Sequence, residues 1–504
     1  MIVPPSSRRF RIFGAVTVLI LILTVVHLRP QWRLEYARDY YDNVSKYFHP
    51  SINNNTLYSE ENGEFVHKLY NSTDQCASFP STDGVMLVMK TGATESYDRL
   101  PTQLLTTLSC LPDMLLFSDM EQQIGPHHIY DALAEVHEDF ISQNGDFDLY
   151  RAQQNCPVSQ KQCIDPKEQG NKAWVLDKYK FMPMLEQTWL MRPGRDWYIF
   201  AEADTYVFWE NLMYWLKHES GFDPREKIYL GSRSFIGGRA FAHGGSGYIV
   251  SGALLKHLIE YHHDSIPKLT EQGSQECCGD LLVALAFKDY EDIKIRQTWP
   301  MINGEKPTTL PYGNNHWCEP ILTMHHMNSE EISNVWQFEK SRKTSDILMI
   351  RDLYESLIAP KMKDTRENWN NLSDDVCYLN PDKEAQDKAE DRDKGRQKKE
   401  EEMSEVEKSA WKSPRDCAKV CESEITEEDG NDKEKNRDRT CFQYRWHDNV
   451  CCTSKSFKFG EPKPEPKDDD SKTKWTSGWY LEGIENWIDA TGPCEKPAWK
   501  IPEE

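Results

Sequence analysis

The chain has 504 residues, too long for one ordinary domain and enough for two or three. Its formal net charge of -22 and the lack of any large basic stripe exclude a nucleic acid as partner. Much of the acidity falls in charged runs toward the C-terminus, so it describes linkers more than a binding face.

Residues 12–28, IFGAVTVLILILTVVHL, are apolar apart from Thr17, Thr24 and His27. As a helix this run covers roughly 25 Å, enough for a thin bilayer. Arg8, Arg9 and Arg11 precede it with no acid among them, which keeps residues 1–11 cytosolic. A cleaved signal peptide is the alternative, but no small-x-small site follows the run. The sequence therefore predicts an uncleaved type II anchor. N-glycosylation triplets at Asn43, Asn54 and Asn71 crowd behind it, and a fourth begins at Asn371. Fourteen cysteines without clear zinc spacing fit an oxidising compartment. These features predict a lumenal chain in the Golgi or another secretory-pathway membrane, with 29–81 as a stem.

Val85-Met-Leu-Val-Met89 reads as a buried strand, and a helix is expected around Leu100 to Leu111. A second strand runs Met114-Leu-Leu-Phe117 and ends at Ser118-Asp119; Trp197-Tyr-Ile-Phe200 is a third. Leu212, Trp215 and Leu216 have helical spacing. Strands alternating with helices predict an α/β domain with a mainly parallel sheet over about 82–360.

The third strand runs into Glu202-Ala-Asp204. In extended chain, residues i and i+2 point to the same side. The end of a buried strand in an α/β sheet is where ligands collect. Two carboxylates there can share a hard divalent cation with diphosphate oxygens. His243-Gly-Gly-Ser-Gly-Tyr-Ile-Val-Ser251 has three glycines in four positions, giving either a tight turn or close backbone approach to a ligand. Glu276-Cys-Cys-Gly-Asp280 places an acid before an apolar helix, either as a cap or as a general base. Cys277 and Cys278 read as structural disulfide cysteines rather than redox groups. The pairs His127-His128 and His262-His263 read as surface histidines, because adjacent residues make poor bidentate zinc ligands.

Residues 381–409 are charged with almost no apolar residue, so they are either a solvated helix or a disordered insert. Beyond them Ser413 reads as an N-cap with Pro414 at N1, and Cys417 and Cys421 share one helical face. With Cys441, Cys451, Cys452 and Cys494 they predict a small disulfide-stapled α+β module over 375–495. It is interrupted by acidic inserts at about 422–440 and 461–474.

The order K-T-G…R-L at Lys90 to Leu100, E-A-D-T-Y-V at 202–207, G-G-S-G-Y-I-V-S at 244–251 and G-D-L-L at 279–282 resembles glycosyltransferase family 31, which includes the fringe proteins and the core 1 β1,3-galactosyltransferases. The resemblance covers roughly 82–345. It implies a type A glycosyltransferase fold (a Rossmann-like mixed sheet), Mn²⁺, a UDP-sugar donor and inversion at the anomeric carbon. Glu202, Asp204 and, from the segment Pro320 to His326, His325 would hold the metal, with His325 preferred over His326. Asp280 would be the base. Thr91, Arg99 and Asp119 would meet the nucleotide, and Gly244 and Gly245 would lie beside the donor sugar. Two departures stand out: the family's triple acid is Glu-Ala-Asp here, and its acidic pair near the base is Gly279-Asp280.

The C-terminal pattern C-x-x-x-C…C-F-Q-Y…C-C followed by Ser477-Gly-Trp479 resembles a PAN/apple domain, which binds protein or carbohydrate. That resemblance implies Cys421–Cys441 and Cys417 with Cys451 or Cys452. The expected function is thus transfer of a hexose, by default galactose in β1,3 linkage, to a glycan or glycoprotein acceptor. The competing reading, resting on Ala203 and Gly279, is a non-catalytic carbohydrate-binding or adhesion protein. A glycoside hydrolase is disfavoured, since two acids on one strand do not straddle a glycosidic bond.

Overall fold

The computed structural model describes residues 76–162, 166–314, 316–342, 346–423, 440–465 and 474–503. The predicted tail, the anchor, most of the stem and the triplets at Asn43, Asn54 and Asn71 lie outside these residues, as does the bulk of the inserts at 422–440 and 461–474. Among the described residues no helix is long and apolar enough to cross a membrane. Residues 76–186 and 194–504 form one compact unit.

Its first part holds strands β1 (Val85–Lys90), β2 (Met114–Ser118), β3 (Gln122–Ile124), β4 (His127–Asp131), β5 (Trp197–Glu202), β6 (Tyr206–Val207), β7 (Tyr229–Gly231), β8 (Arg233–Ile236), β9 (Arg239–Ala242), β10 (Tyr248–Ser251), β11 (Arg296–Gln297) and β12 (Thr323–Met324). Eight of them form one sheet in the order β11-β7-β10-β5-β1-β2-β4-β3. All of β1 is buried, as is β5 up to Ala201. Burial on both faces is why these strands are continuous apolar runs rather than alternating ones. The three strands read from the apolar runs are all present. The expected helix occupies Ser96–Leu105 (α1) and tightens into a 3-10 turn at Thr107–Cys110.

The sheet is mixed, as the family resemblance implies, and parallel pairings outnumber antiparallel ones in it, as the alternation of strands and helices predicts. β5, β1, β2 and β4 run parallel, as do β7 and β11, but β10 lies antiparallel between β5 and β7. Between β7 and β10 the chain makes only the β8–β9 hairpin and a glycine turn. No crossover helix carries it back to start a parallel strand. Two further helices matter below: α2 (Gly252–His262) and α3 (Gly279–Glu291).

The second part has β13 (Thr365–Glu367), β14 (Trp369–Asn370), β15 (Val376–Leu379), β16 (Gln443–His447), β17 (Val450–Ser454), β18 (Glu461–Pro462) and β19 (Thr476–Trp479). Five of them make an antiparallel sheet, β13-β19-β16-β17-β15. Helix α4 (Pro414–Glu422) starts as expected, the Ser413 side chain accepting from the Asp416 N–H. Its two cysteines join the sheet side through Cys417–Cys451 and Cys421–Cys441, and Cys377 pairs with Cys452.

Cys494 does not belong to that set. It is bonded to Cys318 in the first part, because Trp487 packs on Trp317 and Phe457 and the chain beyond it runs back to Cys318, where Ala498 N–H donates to the carbonyl at 2.9 Å. One apolar core therefore spans both parts. Tyr206, Tyr312, Trp317 and Met324 share it with Phe442, Phe457 and Trp487. Tyr312 and Phe457 also exchange backbone hydrogen bonds at 3.0 and 2.8 Å.

The triplet at Asn371 is not a glycan acceptor in this fold. Asn371 is fully buried, and its amide donates to the carbonyls of Tyr444 and Gly478 at 3.0 and 3.2 Å. Residues 381–409 are neither one long helix nor structureless; they fold as short α-helical and 3-10 segments. Asp393, in the second of these short helices, is buried against the equally buried Arg445 guanidinium, whose Nε also donates to Ser373 O at 2.8 Å. Removing one partner strands a buried charge. We expect Asp393→Ala to lower unfolding free energy by about 3–5 kcal/mol, read as a shifted urea midpoint.

Candidate metal-binding active site

β1 and β5 end side by side, with Lys90 in register with Glu202. The chain then turns through Ala203 and Asp204, with Thr205 N–H donating to Glu202 O at 2.9 Å. The buried Gln103 amide of α1 holds this turn, donating to Ala203 O and Thr205 O at 3.0 and 2.8 Å. Glu202 and Asp204 stay partly accessible, whereas Ala203 is buried in the main core. The middle position of the motif thus faces inward, where a carboxylate would have no solvent and no partner. Packing explains the missing acid.

β12 pairs antiparallel with β6, Met324 opposite Tyr206, and so delivers His325 to the same place. His325 Nε2 lies 3.2 Å from Asp204 Oδ1 and 3.7 Å from Glu202 Oε2. His326 follows with φ 59°. Asp204, His325 and His326 each offer a ligand atom within 4.8 Å of the others. Glu202 instead turns Oε1 toward Lys90 Nζ at 3.1 Å.

Cations surround these carboxylates. Lys90 also contacts both oxygens of Asp177 at 2.7 and 2.6 Å, and Arg99 Nη1 is 3.1 Å from Asp204 Oδ2. Burial pushes the Glu202 carboxyl up, but Lys90 and His325 together hold it far below the usual range. Burial pulls His325 down, yet Asp204 and Glu202 outweigh it and raise the imidazole to about 9. Burial and the neighbouring His325 lower His243 and His326. In the metal-free chain the imidazole, an ammonium and a guanidinium balance the carboxylates, and a metal ion would take the place of the imidazole proton. The carboxylate and imidazole donors suit a divalent ion such as Mn²⁺.

The glycine loop closes the other side. Thr205 Oγ1 donates to Gly245 O at 2.7 Å and Thr323 Oγ1 to Ser246 O at 2.6 Å. A Cβ on Gly245 would sit 2.1 Å from the His325 ring, so only glycine allows that imidazole its place. Gly244 N–H donates to Asp280 Oδ2 at 2.8 Å. Asp280 stands in the first turn of α3, and its Oδ1 accepts from Leu281 N–H at 2.9 Å. It is therefore both a helix-start acceptor and a tie to the glycine loop. Burial raises its carboxyl to about 6, against the two backbone donors. Gly279 is dictated by packing: a Cβ there would meet Phe181 at 2.1 Å and Lys178 O at 2.6 Å, so an acidic pair has no room.

Thr91 is buried at the end of β1, and its Oγ1 has no hydrogen-bond partner among the described residues. Asp119 is buried and committed to protein donors, accepting from Ala93 N–H at 2.5 Å and Gln153 Nε2 at 3.2 Å. In this structure it shapes the loop after β1 rather than facing an open site. Cys277 and Cys278, just before α3, are bonded to each other. The fold thus brings together Glu202, Asp204, His325, Gly244, Gly245, Asp280 and Arg99. It adds Lys90, Gln103, Asp177 and His326. Of these Lys90, a charge closing an apolar strand, and His326, the alternative to His325, left a readable trace in the sequence. Scanned against models of known protein families, the chain matches none.

Proposed function

We propose that the chain is a type II membrane glycosyltransferase of the type A fold. It moves a hexose, by default galactose in β1,3 linkage, from a UDP-sugar to a glycan or glycoprotein acceptor with inversion. The observation that carries this reading is the glycine loop that packs on His325 and donates to Asp280. It sets a carboxylate suited to proton abstraction beside a cluster suited to a diphosphate-bound metal.

Glu202, Asp204 and His325 are the residues to hold Mn²⁺, with His326 in reach. When bound, Mn²⁺ supplies positive charge to the departing diphosphate. Asp280, with its carboxyl near 6, is ionised at neutral pH and takes the proton of the acceptor hydroxyl. The hydroxyl oxygen bonds to the anomeric carbon from the face opposite UDP, and the bond to the diphosphate oxygen breaks. Lys90 and Arg99 orient Glu202 and Asp204, and Gly244 and Gly245 line the donor sugar. Thr91, with its unused hydroxyl, is a candidate nucleotide contact. The PAN/apple-like part docks the acceptor glycoprotein.

The test is UDP release by the full chain over a panel of UDP-sugars, with Mn²⁺ or with a chelator. Turnover of one donor, falling at least about 100-fold on chelation, is the expected result. Should no donor turn over with mixed glycan acceptors present, the non-catalytic carbohydrate-binding reading replaces this one.

A further inference from the structure

Away from that site, α2 and α3 end together. His262 is the last residue of α2 and Glu291 the last of α3, so two helix C-termini converge, and their aligned peptide dipoles favour a cation there. The Glu291 side chain is fully buried, with His257 and His262 half-exposed around it. Its two oxygens have different neighbours. Oε1 faces both imidazoles, 2.8 Å from His257 Nδ1 and 3.6 Å from His262 Nε2. Oε2 accepts from Lys227 Nζ at 2.6 Å and also lies 2.7 Å from His257 Nδ1. One ligand atom from each of His257, His262 and Glu291 falls within 4.8 Å of the other two. The remaining such grouping among the described residues, Cys377, Asp393 and Cys452, has no free thiolate, because its cysteines are joined in a disulfide.

We propose that His257, His262 and Glu291 bind a zinc ion that clasps the C-terminal ends of α2 and α3. Two imidazoles and one carboxylate oxygen are a zinc donor set, and the exposure of both histidines leaves a fourth position for water. Oε1 is the ligand oxygen. Lys227 holds Oε2, as second-layer partners commonly orient a ligating carboxylate, and neutralises the buried charge in the zinc-free chain. The other end of α3 carries Asp280, so the clasp anchors the helix on which that carboxylate stands. The site does not depend on the transferase reading.

The experiment is zinc content of the chelator-stripped full chain after titration and dialysis, for wild type, Asp204→Ala and the triple variant Asp204→Ala/His257→Ala/His262→Ala. Asp204→Ala should retain one tightly bound zinc per chain that the triple variant loses, together with the zinc-dependent rise in Tm. Equal zinc in Asp204→Ala and the triple variant overturns the proposal and leaves an ion-pair cluster with Lys227. If the triple variant fails to fold, Co²⁺ titration of the Asp204→Ala chain decides. A strong tetrahedral visible band supports the site, and its absence overturns it.

Discussion

Asp280→Asn is expected to lower transfer by about 10³-fold at neutral pH while UDP and metal binding stay near wild type. The amide oxygen still accepts from Gly244 N–H, so the glycine loop keeps its tie, while the proton acceptor and the bond from Leu281 N–H are lost. The pH profile of the wild-type chain carries the same signature. Burial raises the Asp280 carboxyl to about 6, and a base acts ionised. Activity should therefore fall as pH drops through about 6, by about tenfold per unit below it, and this limb should vanish in the variant. Stability runs the other way. A carboxyl raised in the fold contributes stability below its unfolded value, ~4, and loses it as pH rises through about 6. The asparagine chain, which has no carboxyl to titrate, should lose that fall in Tm between about pH 4 and 6. Loss of turnover together with loss of the pH-6 limb of activity is an outcome that a merely structural aspartate would not produce.

Gly245→Ala is the second large effect, because the added methyl and the His325 ring claim the same space at 2.1 Å. The loop cannot retreat easily, since Thr205 and Thr323 hold the carbonyls of Gly245 and Ser246. The ring must leave Asp204. Mn²⁺ affinity should weaken by about 100-fold, measured by calorimetry and by the metal dependence of UDP release. Gly244→Ala is the internal comparison. Its Cβ meets Phe181 at 3.1 Å and Asp280 Cβ at 3.3 Å, contacts that a shift of a few tenths of an ångström relieves, so its loss should be much smaller. Equal losses in the two variants would mean that the loop, not the imidazole, sets the metal affinity.

Much of this arrangement is legible in the residues because the central strands are buried on both faces. Val85–Lys90 and Trp197–Glu202 therefore announce themselves as apolar runs, and the acids closing the second run mark the sheet end. The direction of β10 is not legible, since Tyr248–Ser251 pairs with two strands at once and its apolar residues look the same in either sense. Ala203 and Gly279 look like defects when read as letters. Their meaning is steric, and it needs the positions of the core, Phe181 and Lys178. Asp393 was hidden for the opposite reason: a charge in a charged run gives no sign that Arg445, 52 positions away, will bury it. His262 invited comparison with its neighbour His263, while its partners come from five residues back and from another helix.

The shared core also imposes an order of events on the newly made chain. Translation delivers Tyr206 and Met324, which hold the β6–β12 pairing under Asp204 and His325, well before Phe442, Phe457 and Trp487, which complete the apolar cluster around them. Until the last stretch emerges, that cluster lacks part of its lining, and Cys318 has no Cys494 to meet. A nascent or prematurely terminated chain thus carries every candidate site residue without the packing that brings them together. Assembly of the candidate site is in this way tied to synthesis of the chain through Cys494.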